Sequence, residues 1–78
     1  MSETRLKALF SEVLEIPEDQ VSDTLAYAKD PKWDSVAHMA LVAAIDEAFD
    51  IMMETQDILD MSTFAKAKEI LAKYGVAF

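Results

Sequence analysis

The sequence predicts an all-α fold, a four-helix bundle of three longer helices and one short helix, with a long loop between the first and second helices. Three observations carry this expectation. Apolar residues recur at helical spacing, i, i+3, i+4 and i+7, in three separate stretches. One glycine and two prolines in 78 residues suit helices better than the many turns of a β-rich chain. A hydrophobic share of 53% argues against disorder despite a formal net charge of −8. The length fits a single small domain over residues 1–78, which buries roughly 60% of its unfolded surface.

In the first stretch, Leu6, Leu9, Phe10, Val13 and Leu14 line one face of a helix expected over Glu3–Glu15, with Ser2 as its cap. Lys7, Glu12 and Glu15 are read as solvated. Pro17 disfavours helical backbone at Ile16, so the helix ends there. Residues 17–34 form a connection longer than the roughly 12 residues usual in compact domains. Val21, Leu25 and Tyr27 are spaced to anchor it on the bundle, with Tyr27 read as core. Such a loop crosses the bundle and lets the next helix start at a chosen end. Trp33, at that start, is either a staple packed against the helix or an exposed contact.

Asp34 is a strong N-cap, because its carboxylate accepts the unpaired backbone N–H groups of a first turn. Ser35 then takes the first helical position with its hydroxyl toward solvent. The free N–H groups and the helix dipole favour an anion there, which makes Ser35 a good attachment point for a phosphate ester. From Ser35 to Phe49 the helix is apolar on two faces. Leu41, Val42, Ile45, Ala48 and Phe49 make a core-facing stripe. Val36, Met39, Ala40 and Ala43 make the other face, which turns acidic at Asp46, Glu47 and Asp50. Either both faces are buried or the second is a docking surface, and three carboxylates favour docking. His38 invites comparison with a hydrolase triad of Asp34, Ser35 and His38. Residues so close along one helix do not let the Asp orient the far nitrogen of the His, so the triad is rejected. His38 is expected to contact the loop or the group that Ser35 carries.

Ile51, Met52 and Met53 make a short apolar connection, and Thr55 is expected to cap a brief third helix through Met61. Three of the five methionines fall in this region, a sign of a deformable interior. Asp57 and Asp60 lack the spacing and glycine of a calcium loop, so no metal site is expected there. Ser62 or Thr63 caps the last helix. Phe64, Ala67, Leu71 and Tyr74 point inward, Lys66, Lys68 and Lys73 outward, and Gly75 ends it.

Fifteen acids against seven Lys and Arg argue against nucleic acid as a partner and for partners with basic surfaces. Without cysteine there is no disulfide, no thiolate metal site and no cysteine nucleophile, so thiol chemistry has to come from a cofactor. The N-terminus lacks the apolar run of a signal peptide, and the longest apolar run, Met39 to Ile45, is far short of a membrane span. A soluble, cytoplasmic monomer is expected.

Asp34-Ser35-Val36, followed by Met39, Leu41-Val42, Ile45, Glu47 and Phe49-Asp50, resembles the Asp-Ser-Leu signature and second helix of acyl carrier proteins. The likeness runs on through the C-terminal third. It implies a carrier without catalytic residues, in which a 4′-phosphopantetheine arm from coenzyme A is joined to Ser35, beside Asp34, and holds an acyl group as a thioester. It also implies a series of partners: a phosphopantetheinyl transferase, an acyl-loading ligase or acyltransferase, and the synthases and other acyl-processing enzymes of fatty acid or polyketide biosynthesis. These would dock through basic surfaces on Val36, Met39, Ala43, Asp46, Glu47 and Asp50. The chain departs from the family in having Val36 for the usual Leu, Ala37 and Ala40 for the acids of fatty-acid-synthesis members, and Trp33 and His38. Its acidic docking surface is accordingly thinner. An aminoacyl, D-alanyl or peptidyl carrier using the same arm is the nearest rival, and an unmodified helical adaptor the more distant one.

Overall fold

The apolar stripes become four helices in the computed structural model, which describes residues 2–78. They are α1 (Ser2–Leu14), α2 (Ser35–Phe49), α3 (Thr55–Asp60) and α4 (Phe64–Lys73), with a 3₁₀ turn at Glu18–Gln20 inside the long first loop. No helix among the described residues is long and apolar enough to cross a membrane. Helix α1 begins a residue earlier than expected, so Ser2 lies within it and the cap position falls outside the described residues.

Three helices stop in the same way. Glu15, Asp50 and Gly75 adopt left-handed backbone, with φ of 57°, 55° and 91°. The following N–H turns back to a carbonyl five residues earlier: Ile16 to Ser11 at 3.1 Å, Ile51 to Asp46 at 3.1 Å and Val76 to Leu71 at 3.2 Å. This closure satisfies carbonyls that a helix end leaves free. Only α4 uses glycine for it, as the sequence suggests.

The core joins all the longer helices. Leu6, Phe10 and Leu14 of α1 meet Leu41, Val42 and Ile45 of α2 and Phe64, Ala67, Ile70 and Leu71 of α4. Phe10 stands edge-on to Phe64 at 5.0 Å and to Trp33 at 5.2 Å, so one ring ties α1 to α4 and to the loop. Leu9, Val13 and Phe49 pack on this core only partly buried. Phe49 is covered on one side by the Arg5 guanidinium, 4.6 Å from the ring centroid, which also donates to the Ala48 carbonyl near the end of α2.

Val21 and Leu25 are buried anchors of the loop. Past them the loop runs antiparallel to the start of α4: Tyr27 N–H donates to Ser62 O at 2.9 Å and Phe64 N–H to Leu25 O at 3.0 Å. That pairing holds Tyr27 at the surface, 38% exposed, and corrects its reading as core. Trp33 resolves the other way, fully buried.

Two caps differ from expectation in detail. Thr63 caps α4, its Oγ1 accepting from Lys66 N–H at 3.0 Å. Thr55 does not cap α3; it is the first helical residue, and the preceding Glu54 N–H donates to the Tyr74 hydroxyl at 2.9 Å. Six residues are too few for a helix to be stable alone, so tertiary bonds must hold α3 in place. Asp57, 6% exposed, accepts from Lys73 Nζ at 2.5 Å and from the Tyr74 hydroxyl.

Candidate functional site

The site grows from a tight turn at the end of the loop. Trp33 N–H donates to Asp30 O at 3.0 Å, and Trp33 O accepts from Ala28 N–H at 2.9 Å, with Ala28 left-handed at φ 67°. The turn sends Trp33 into the core and leaves Asp34 extended at φ −98°, ψ −174°. Asp34 Oδ1 then accepts from Ala37 N–H at 2.9 Å and its carbonyl from His38 N–H at 2.8 Å. This is the N-cap read from the sequence, and it makes Ser35 the exposed first residue of α2. The N–H groups of Ser35 and Val36 have no partner within the helix.

His38 is fixed from both sides. Trp33 Nε1–H donates to His38 Nδ1 at 3.0 Å, and His38 Nε2 lies 2.8 Å from the carbonyl of Ile58. A neutral ring with its proton on Nε2 serves both bonds. The two rings are stacked, centroids 6.0 Å apart, and Tyr27 stands 5.0 Å from the imidazole. Because both nitrogens are engaged and the Asp34 carboxylate serves Ala37, the arrangement is no triad. Ser35 has neither a base to activate it nor an acid oriented behind that base.

Beside Ser35 lies a mainly apolar cleft of about 210 Å³. It is lined by Tyr27 of the loop, Ser35, His38 and Met39 of α2, Ile58 and Leu59 of α3, and Met61 and Ser62 after it. Met39 and Leu59 are exposed. Sequence reasoning missed the share of Tyr27 and Ser62 in this cleft. The meeting of the lining residues depends on the loop pairing at Ala26 and Thr63 and on the His38 bond to Ile58, which no periodicity encodes.

The other expected docking residues do not all behave alike. Val36 is 78% exposed, and Ala43, Glu47 and Asp50 are also exposed. Asp46 is half-buried, and its Oδ1 accepts from Met53 N–H at 3.2 Å, so it pins the α2–α3 connection and is not a free rim carboxylate. Above it the first turn of α2 carries no acid. Val36, Ala37 and Ala40 instead line a shallow groove with Val13 and Pro31.

A family model described as phosphopantetheine attachment site matches residues 4–71 of the chain. The fold is also similar to a solved structure from Mycobacterium tuberculosis, of a protein assigned as an acyl carrier protein. The TM-score is 0.84 at 18% identity, over 95% of this chain and 99% of that one.

Proposed function

The chain belongs to the phosphopantetheine attachment site family, and on that footing we propose that it is an acyl carrier protein, that Ser35 is the residue that bears the 4′-phosphopantetheine arm and that residues 1–78 work as one carrier domain. The observation that carries this reading is the exposed Ser35 at the start of the fifteen-residue α2, with an apolar cleft alongside. The residues present suit the group. Asp34 turns its charge onto Ala37 N–H, and the unpaired N–H groups and helix dipole favour a phosphodiester at Ser35. The arm, when attached, supplies the thiol on which an acyl group is held as a thioester.

What the chain itself does is present that serine and guide partners to it. Val36, Met39 and Ala43 offer an apolar patch, and Glu47 and Asp50 a negative rim below it. A basic transferase using coenzyme A docks first, followed by enzymes that load, modify and remove the acyl group in fatty acid or polyketide synthesis. The protein performs no chemistry of its own, and its place of work is the cytoplasm, where coenzyme A is met.

Incubation with coenzyme A and a broad-specificity transferase tests this. One phosphopantetheine is expected on the wild type and none on Ser35→Ala. Modification that persists in the variant overturns the assignment. Mass spectrometry of protein from its native cells then separates an acyl from an aminoacyl or peptidyl cargo, and absence of any arm there favours the plain adaptor.

A further inference from the structure

Resting on the carrier reading, we infer that the hydrogen-bonded wedge of Trp33, His38 and Ile58 closes the cleft beside Ser35 from within, so that cargo held there is restricted to short acyl chains. Ser35 and Met39 of α2 and Leu59 of α3 line the cleft, so a chain tethered near Ser35 has apolar surface within reach. To go deeper it must pass between α2 and α3. That gap is spanned by His38, whose Nε2 lies 2.8 Å from Ile58 O.

Behind the imidazole stands Trp33, fully buried and edge-on to Phe10 at 5.2 Å. Its indole N–H has His38 Nδ1, at 3.0 Å, as its partner. A chain that pushed His38 aside would strand a buried indole N–H and weaken the bond to the α3 carbonyl, losses that burying a few more methylenes must first offset. An apolar side chain at position 38 would carry no such penalty. Met39 and the buried Met61 let the walls adapt in width. Depth is set by the wedge. The cleft is small, about 210 Å³, so it covers a short chain and leaves the remainder of a long one outside.

The test is a series of proteins loaded at Ser35 from coenzyme A thioesters carrying acetyl, butyryl, hexanoyl, octanoyl, dodecanoyl and hexadecanoyl groups. Melting temperature should climb from acetyl to octanoyl by about 4–8 °C in all, the shift a domain of this length shows for a modest stability gain. It should then stay level through hexadecanoyl. Emission from Trp33, the only tryptophan, should not change across the series. In His38→Leu the climb should continue into the longer chains. Should that variant not fold, the wild-type series still decides. A wild-type melting temperature that keeps rising to hexadecanoyl, with altered Trp33 emission, overturns the wedge, as does stability independent of chain length. A wild type that accepts no arm overturns the carrier reading and this inference together, whereas arms accepted without the plateau overturn this inference alone.

Discussion

Asp57 and Lys73 meet between α3 and α4 at 2.5 Å, the Asp57 side chain 9% exposed and that of Lys73 61%. Hydrogen bonds from the Lys73 ammonium and then the Tyr74 hydroxyl hold the Asp57 carboxyl below its ordinary 3.8. A carboxyl more acidic in the folded state contributes stability that is present above its unfolded value, and loses it as pH falls through the lower folded value. Asp57 in turn raises Lys73 above 10.5 and Tyr74 above 10.0. Their contributions are present below those values and fade as pH rises through the folded ones.

Thermal melts should therefore show stability falling as the solution is acidified below about pH 4. Asp57→Asn should be less stable than wild type at neutral pH, with a flatter acid limb, and the two curves should converge in strong acid. Parallel curves would mean that the pair contributes nothing to pH dependence. Because Asp57, Lys73 and Tyr74 hold the short α3, hydrogen exchange in α3 should quicken in the variant before that in α1 or α4.

The Trp33–His38 bond gives a second prediction. His38→Ala leaves a buried indole N–H without its acceptor and should cost about 1–3 kcal/mol in urea unfolding. Trp33→Phe removes the buried donor, leaves only the half-buried His38 Nδ1 without its partner and keeps a ring against Phe10, so it should cost less than Trp33→Ala. Equal losses for the two Trp33 variants would show that the edge-on ring packing is not what holds the loop.

The two faces of α2 should separate in mutagenesis. Ile45 is fully buried, and Ile45→Ala should cost about 2–5 kcal/mol. Met39 is 56% exposed, so Met39→Glu should keep the helical circular dichroism while impairing turnover by partner enzymes. Ser35→Ala, at an exposed position, should change stability by less than about 0.5 kcal/mol. Unfolding of Met39→Glu would show that this face is needed for the fold and not for docking.

The helices and the Ser35 geometry were legible because each has a local cause. The stripe of Leu6, Phe10 and Leu14 follows helical period, Asp34 caps by its own carboxylate, and Gly75 stops α4 by its backbone. What escaped notice depends on partners far apart in sequence. Nothing adjacent to Tyr27 reveals that its N–H meets Ser62, or adjacent to Asp46 that its carboxylate meets Met53. Trp33 kept two readings because a tryptophan before a cap serves either as staple or as contact, and only the position of His38 and Phe10 chooses between them. The same limit applies to Asp57, because nothing near it in the sequence, Asp60 included, reveals that its fold partners are Lys73 and Tyr74.

The last prediction concerns the charge imbalance. Fifteen acids face seven bases, and few ion pairs form among the described residues. Among the described residues Lys68 serves Asp23 at 2.8 Å and Glu3 at 3.6 Å, and Lys73 serves Asp57. Glu47, Asp50, Glu54 and Asp60 stay exposed around the ends of α2 and α3. Like charges so placed destabilise a compact state, and salt screens them over a Debye length of about 10 Å at 0.1 M. Melting temperature should rise between low and moderate sodium chloride. It should rise further with millimolar magnesium at matched ionic strength if the carboxylates gather divalent ions. Association with a basic transferase should slow over the same range, because screening weakens the attraction that steers it. The apolar patch of Val36 and Met39 makes a contribution that salt does not screen, so binding should weaken without vanishing. A melting temperature that falls with salt would mean that the Lys68 and Lys73 pairs outweigh the repulsion, and the exposed acids would then have no claim to be kept for recognition at a cost in stability.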